Sequence, residues 1–151
     1  MVVSKGSTPL QALGYHIPFI TSFINNMRKI EREMIQAIID RRCFSKANTR
    51  VVLHAGDPSK GEDRKDMRVY LHGNWIAEYT QDGQLNINHC GWKTNTTKSR
   101  LNALIQFVLG DLVGINQTDF KWYLNSTKLI QTSPDIWEQK STPIPDGWLS
   151  V

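Results

Sequence analysis

The sequence predicts an α+β fold: a long N-terminal helix, a four- to five-stranded antiparallel sheet laid out as a β-meander, and a second helix packed on the same face. Three observations carry that reading. Apolar residues recur mostly at three- and four-residue steps from Ile20 to Ile38, the spacing of one helix face. Residues 68–90 alternate about the turn-forming pairs Gly73-Asn74 and Asp82-Gly83, as hairpin strands do. Thr96-Thr97-Lys98-Ser99-Arg100 then precedes a second apolar stripe, with hydroxyl groups suited to capping a helix start.

In chain order, residues 1–16 contain Gly6, Pro9 and Gly14 and read as an irregular arm. Pro18 suits a first helical turn. The helix predicted over 17–42 carries Ile20, Phe23, Ile24, Met27, Ile30, Met34, Ile35 and Ile38 on its apolar side. Its polar side holds Asn26, Arg28, Lys29, Arg32, Glu33 and Arg41. It would span about seven turns and end on Arg41-Arg42, cations that complement the helix dipole.

The sheet and second helix are predicted within 48–132. Arg50-Val-Val-Leu-His and Arg68-Val-Tyr-Leu-His share a phrase across a polar loop, which suggests neighbouring strands holding equivalent positions. Trp75–Thr80 reads as a strand, Asp82-Gly83 as a two-residue turn, and Leu85, Ile87 and His89 point one way along the return strand. His89 would sit at the edge of the core. The second helix, 96–109, would be capped by Asn95 or Thr96 and stopped by Gly110. Phe120–Leu124 and Lys128–Gln131 read as a hairpin about Asn125-Ser126. The tail 133–151, with its prolines, is predicted to be extended and laid over the body by Ile136, Trp137 and Trp148.

A chain of 151 residues is expected to form a single domain, 1–151, able to bury a sizeable core. Hydrophobic residues at 40% and charged residues at 21% fit a soluble globular protein. No run approaches the length of a membrane span. Cys43 and Cys90, without a recognisable secretory leader, are expected to be inert reduced thiols in an intracellular protein. The net charge of +4 is unevenly placed. Residues 1–50 hold eight Lys or Arg against three Asp or Glu, whereas residues 101–151 hold three against five. The N-terminal third therefore carries the excess that allows polyanion binding.

Three stretches also support a family resemblance: Val69-Tyr-Leu-His-Gly-Asn-Trp-Ile-Ala, Gly83-Gln-Leu-Asn-Ile, and Gly91-Trp-Lys-Thr-Asn-Thr-Thr-Lys-Ser-Arg-Leu-Asn. With Asn48-Thr-Arg-Val-Val-Leu upstream, the segment 48–105 resembles a group of small tailed-phage proteins sharing L-H-G-x-x-I-A and G-W-x-T-x-T-T-K-x-R-x-N. The first helix and the Trp-containing tail fall outside it. The resemblance implies a phage origin and a host cytoplasm. It brings no activity, cofactor or catalytic set. Handling nucleic acid, interfering with a host or rival-phage factor, and processing a nucleotide are all compatible with it.

The candidate site lies at the second helix start, where free N–H groups and the positive dipole end attract phosphate. Its residues are Trp92, Lys93, Thr96, Thr97, Lys98 and Arg100, with Arg28, Lys29 and Arg32 as an extension. Trp92 beside cations suits stacking of single-stranded nucleic acid. The competing reading is an ordinary capped helix with a core Trp. His54, His72 and His89 are the candidates for catalysis or metal binding, but no zinc or twin-histidine motif surrounds them. No catalytic residue, metal or cofactor is therefore assigned.

The sequence thus points to a non-enzymatic phage accessory protein that binds nucleic acid or nucleotide phosphate. Its rivals are an inhibitor that binds a host protein, for which Trp137, Trp148 and the first helix offer surface, and a His-dependent nuclease or phosphodiesterase. The first helix also allows a homodimer seam. No membrane partner is expected.

Overall fold

The computed structural model describes residues 27–110, 112–134 and 136–151, with side chains described for all of these except 127–133 and 136–140. The predicted arm 1–16, residues 17–26 of the predicted helix and the Trp137 side chain lie outside the described residues. Among the described residues, two α-helices, α1 (Lys29–Ile39) and α2 (Asn95–Leu109), and a 3-10 turn, Pro58–Lys60, accompany nine strands. The strands are β1 (Phe44–Lys46), β2 (Thr49–Ala55), β3 (Lys65–Leu71), β4 (Asn74–Tyr79), β5 (Leu85–Ile87), β6 (Val113–Thr118), β7 (Lys121–Ser133), β8 (Ile136–Pro143) and β9 (Leu149–Ser150).

The expected long helix and single four- to five-stranded meander are corrected by this arrangement. Six strands form one sheet in the order β1-β2-β3-β4-β5-β9, and β6-β7-β8 form a second. The first helix is 11 residues long, begins after Arg28 in an extended conformation and ends at Asp40. Arg41 then turns to φ 53°, so the Arg41-Arg42 pair leaves the helix instead of closing it. The hairpin expected about Asn125-Ser126 is also replaced. β7 runs straight through that pair with a register shift, and its real turns are Asp119-Phe120 and Pro134. The tail does not merely lie over the body, since Ile136–Pro143 pairs with β7 and Leu149 pairs with Ile87.

Other elements fall close to expectation. α2 spans Asn95–Leu109 with Gly110 at φ 94° as the stop, but its capping residue is Thr94, not the expected Asn95 or Thr96, because the Thr94 side chain is the one that accepts from Thr97 N–H. The two-residue β3–β4 turn is His72-Gly73, at φ 51° and 83°, and not Gly73-Asn74, since Asn74, in β4, already pairs with Leu71. The paired positive φ values follow the right-handed strand twist. The Asp82-Gly83 turn has three residues, not two: Thr80 N–H bonds Gln84 O at 2.8 Å, Gly83 N–H bonds Thr80 O at 3.0 Å, and only Gly83 takes positive φ.

The core lies between the helices and one face of the six-stranded sheet. Val51, Met67, Val69, Leu71, Ala77, Leu85 and Ile87 pack there against Met34, Ile35, Ile38, Leu101, Leu104 and Ile105. Both helices run the same way. Glu31, in the first turn of α1, and Arg100, in the second turn of α2, meet beside Thr49 on β2, while Arg41, just past the end of α1, and Phe107, in the last turn of α2, both lie against Tyr79. The two positive dipole ends therefore share one pole of the molecule.

Candidate nucleic-acid interface

The pole is built on a buried polar junction. Thr94 leaves the helical conformation and its Oγ1 accepts from Thr97 N–H at 3.1 Å, satisfying a free donor of the first turn. One turn on, Arg100 reaches across to donate to Thr49 Oγ1 at 3.0 Å and to Glu31 Oε2 at 2.9 Å. Ser99 Oγ donates to the same carboxylate. The Glu31 and Arg100 side chains are each only 6% exposed. Thr49 passes its own proton to Asn48 Oδ1 at 2.9 Å.

This places each candidate residue. Thr97 is buried in the cap and Arg100 in the junction, where its charge is matched by Glu31. Thr96 and Lys98 are half-buried, while Lys93 and Trp92 are exposed, Trp92 by 59%. Arg28 and Lys29 are exposed on the adjoining start of α1, and Arg32 is half-buried with Nη1 donating to Met27 O at 2.8 Å. The Glu31 bridge thus ties the start of α1, which carries Arg28, Lys29 and Arg32, to the start of α2, which carries Lys98, two segments far apart in the chain. Among the described residues, none of Arg28, Lys29, Arg32, Lys93 and Lys98 makes an ion pair. The acids at this pole are engaged already: Glu31 by Arg100, and Glu33 by Lys46 at 2.7 Å. The Lys46 hydrogen bond also holds the Glu33 carboxyl below its usual pKa.

The histidines do not form a centre. β2 and β3 are neighbours, but antiparallel, so the shared phrase does not align its histidines. His54 faces Asp66, whereas His72 occupies the β3–β4 turn beside Asn48 at the other end of the pair. His89 is buried in the β5–α2 corner instead of lying at the core edge. Its Nδ1 accepts from Gly91 N–H at 2.9 Å, and its Nε2 stands 3.5 Å from the Asp146 carboxylate. Burial, and next the nearby Lys93, push its pKa down, with Asp146 opposing them. Among the described residues no group of His, Cys, Asp and Glu is placed to hold a metal. Cys90 donates its thiol to Trp75 O at 3.1 Å, and burial raises its pKa. Cys43 is exposed.

A family model described as Kyanoviridae Gp96 protein matches residues 27–143. The chain belongs to that family. It is therefore a phage protein, and the match covers α1 and the whole second sheet as well as the 48–105 segment. No curated protein and no solved structure matches the chain. No helix among the described residues is long and apolar enough to cross a membrane.

One set of residues was missed from sequence. On the sheet face opposite the helices, the Arg50 guanidinium lies 5.0 Å from the Tyr70 ring centre, and that of Arg68 lies 4.0 Å from the Trp75 ring centre. Trp148 stands edge-on to Trp75 at 4.7 Å. Alternation about Val51 and Val69 would have put Arg50, Arg68 and Tyr70 on the outer face. The contribution of Trp148 comes only through the pairing of β9.

Proposed function

We propose that this phage accessory protein binds nucleic acid without catalysis, through the pole where both helices begin, and acts in the host cytoplasm. The carrying observation is the charge inventory there: among the described residues, five cations make no ion pair and the two acids beside them, Glu31 and Glu33, are already paired. The aligned helix starts add positive potential to the same region. Titrating salt against binding of a labelled oligonucleotide tests the reading. Contacts to three to five phosphates of a single strand predict a log–log slope of roughly −2 to −3.5. Substituting Lys98→Glu with Arg28→Glu should flatten that slope. Absence of binding at low salt would refute the proposal.

A second reading is favoured by one observation. Phe120, at the β6–β7 turn, is 87% exposed and held at φ 64°, an unusual conformation for a bulky residue. A ring presented in this way suits contact with a host protein. Capture of one stoichiometric partner from host lysate, resistant to nuclease and lost in Phe120→Ser, would favour it. The His-dependent enzyme keeps no support, because His54 and His72 stand at opposite ends of their strand pair.

A further inference from the structure

We infer that the face of the six-stranded sheet turned away from the two described helices is a stacking surface for unpaired nucleic acid, so that the ligand is single-stranded. This rests on the nucleic-acid reading proposed above and specifies its substrate class. Arg50, Tyr70 and Trp75 are direct cross-strand partners on β2, β3 and β4. Adjacent strands lie about 4.8 Å apart, so the row spans roughly 10 Å. Trp148 extends it past Trp75, edge-on at 4.7 Å and 43% exposed.

The members of the row have different chemistry to offer. Arg68 is fixed, with its guanidinium over Trp75 and Nε bonded to Glu78 at 3.2 Å. Arg50 is exposed and contacts the Tyr70 ring, but among the described residues it has no carboxylate partner. Its N–H edge is therefore available to a phosphate while its plane stays stacked. Tyr70 and Trp148 supply ring surface on which bases can lie. Aromatic rings with interleaved arginines bind unpaired bases whatever their sequence, because every base presents a π-face. A duplex conceals those faces.

Charge continuity supports the same occupant. Arg50 adjoins Thr49 of the buried junction, and Tyr70 and Trp75 are each one residue from the Leu71–Asn74 pair that closes the next turn. A strand whose bases lie on the row therefore carries its phosphates toward the uncompensated cations of the pole. Sheet faces bearing aromatics, backed by helices, recognise unpaired RNA on this physical basis.

The test is a fluorescence titration of the full chain with oligo(dT), oligo(rU) and a duplex of equal length at one salt concentration. A single strand should quench tryptophan emission and bind on the order of tenfold tighter than duplex, and Trp148→Leu or Tyr70→Leu should weaken it by a similar factor. Preference for either single strand supports the inference and identifies the sugar. If an aromatic variant fails to fold, the exposed Arg50→Gln carries the test, with several-fold weaker single-strand binding expected. Equal binding of duplex and single strands, unchanged in Arg50→Gln, overturns the stacking surface and leaves the basic pole standing. No binding of any of the three polymers overturns both.

Discussion

The two faces of the six-stranded sheet are built from the same strands but make opposite use of alternation. On the covered face, Val51, Met67, Val69, Ala77, Leu85 and Ile87 are at most 1% exposed beneath the helices. On the outer face, their neighbours Arg50, Arg68, Tyr70, Trp75 and Glu78 are partly or fully exposed and interact through rings and charges. Burial on the first face stabilises the fold, since each fully buried large aliphatic contributes about 1.5–3 kcal/mol. Exposed ion pairs and stacked guanidinia contribute little. The outer face is therefore the one free to serve recognition, and substitutions on the two faces should separate stability from binding.

The largest effect is expected on the covered side. Arg100→Ala leaves the Glu31 carboxylate buried without its partner, and should lower stability by roughly 3–5 kcal/mol in denaturant unfolding. Replacing both residues, Glu31→Met with Arg100→Met, should recover much of that loss. A double variant no better than the single would show that the charges themselves organise the helix starts. Thr94→Ala removes the α2 cap and should cost about 1 kcal/mol, read as a lower midpoint with unchanged slope.

A pH-dependent effect comes from His89. Its folded-state pKa lies below the usual value because burial and Lys93 disfavour the imidazolium. The unfolded chain thus takes up the proton first. Stability should be complete above the ordinary histidine pKa of about 6.5 and should fall as pH drops through that value toward the lowered one. Comparison of unfolding midpoints at neutral and mildly acid pH checks this, and His89→Gln should remove that part of the slope. The smallest effect on stability belongs to Arg50→Gln on the outer face, within about 0.5 kcal/mol, although this variant should weaken single-strand binding.

Local rules carried the sequence reading well where an element depends on its own residues. α2 has its hydroxyl cap, apolar stripe and Gly110 stop within one continuous segment, and the β3–β4 hairpin has its Gly73 turn. Elements that exist only through distant pairing were not legible. β9 has two residues and is a strand because Ser150 and Leu149 pair with Asn86 and Ile87. Residues 136–143 resembled a tail because their proline-ended sequence lacks a clear strand signature, yet they form the third strand beside β7. The candidate site shows the same division. Lys98 follows from the helix start, but the cap is Thr94 and not Asn95 or Thr96, and Arg100 is drawn inward by a glutamate 69 residues away. That glutamate also ties the helix start carrying Arg28 and Lys29 to the one carrying Lys98.

The most direct test of the basic pole is the salt dependence of oligonucleotide binding, measured by anisotropy for the natural chain and for Arg28→Glu with Lys98→Glu. The account predicts steep salt dependence in the natural chain and both weaker affinity and a shallower slope in the variant. An unchanged affinity and slope in a folded double variant would contradict it.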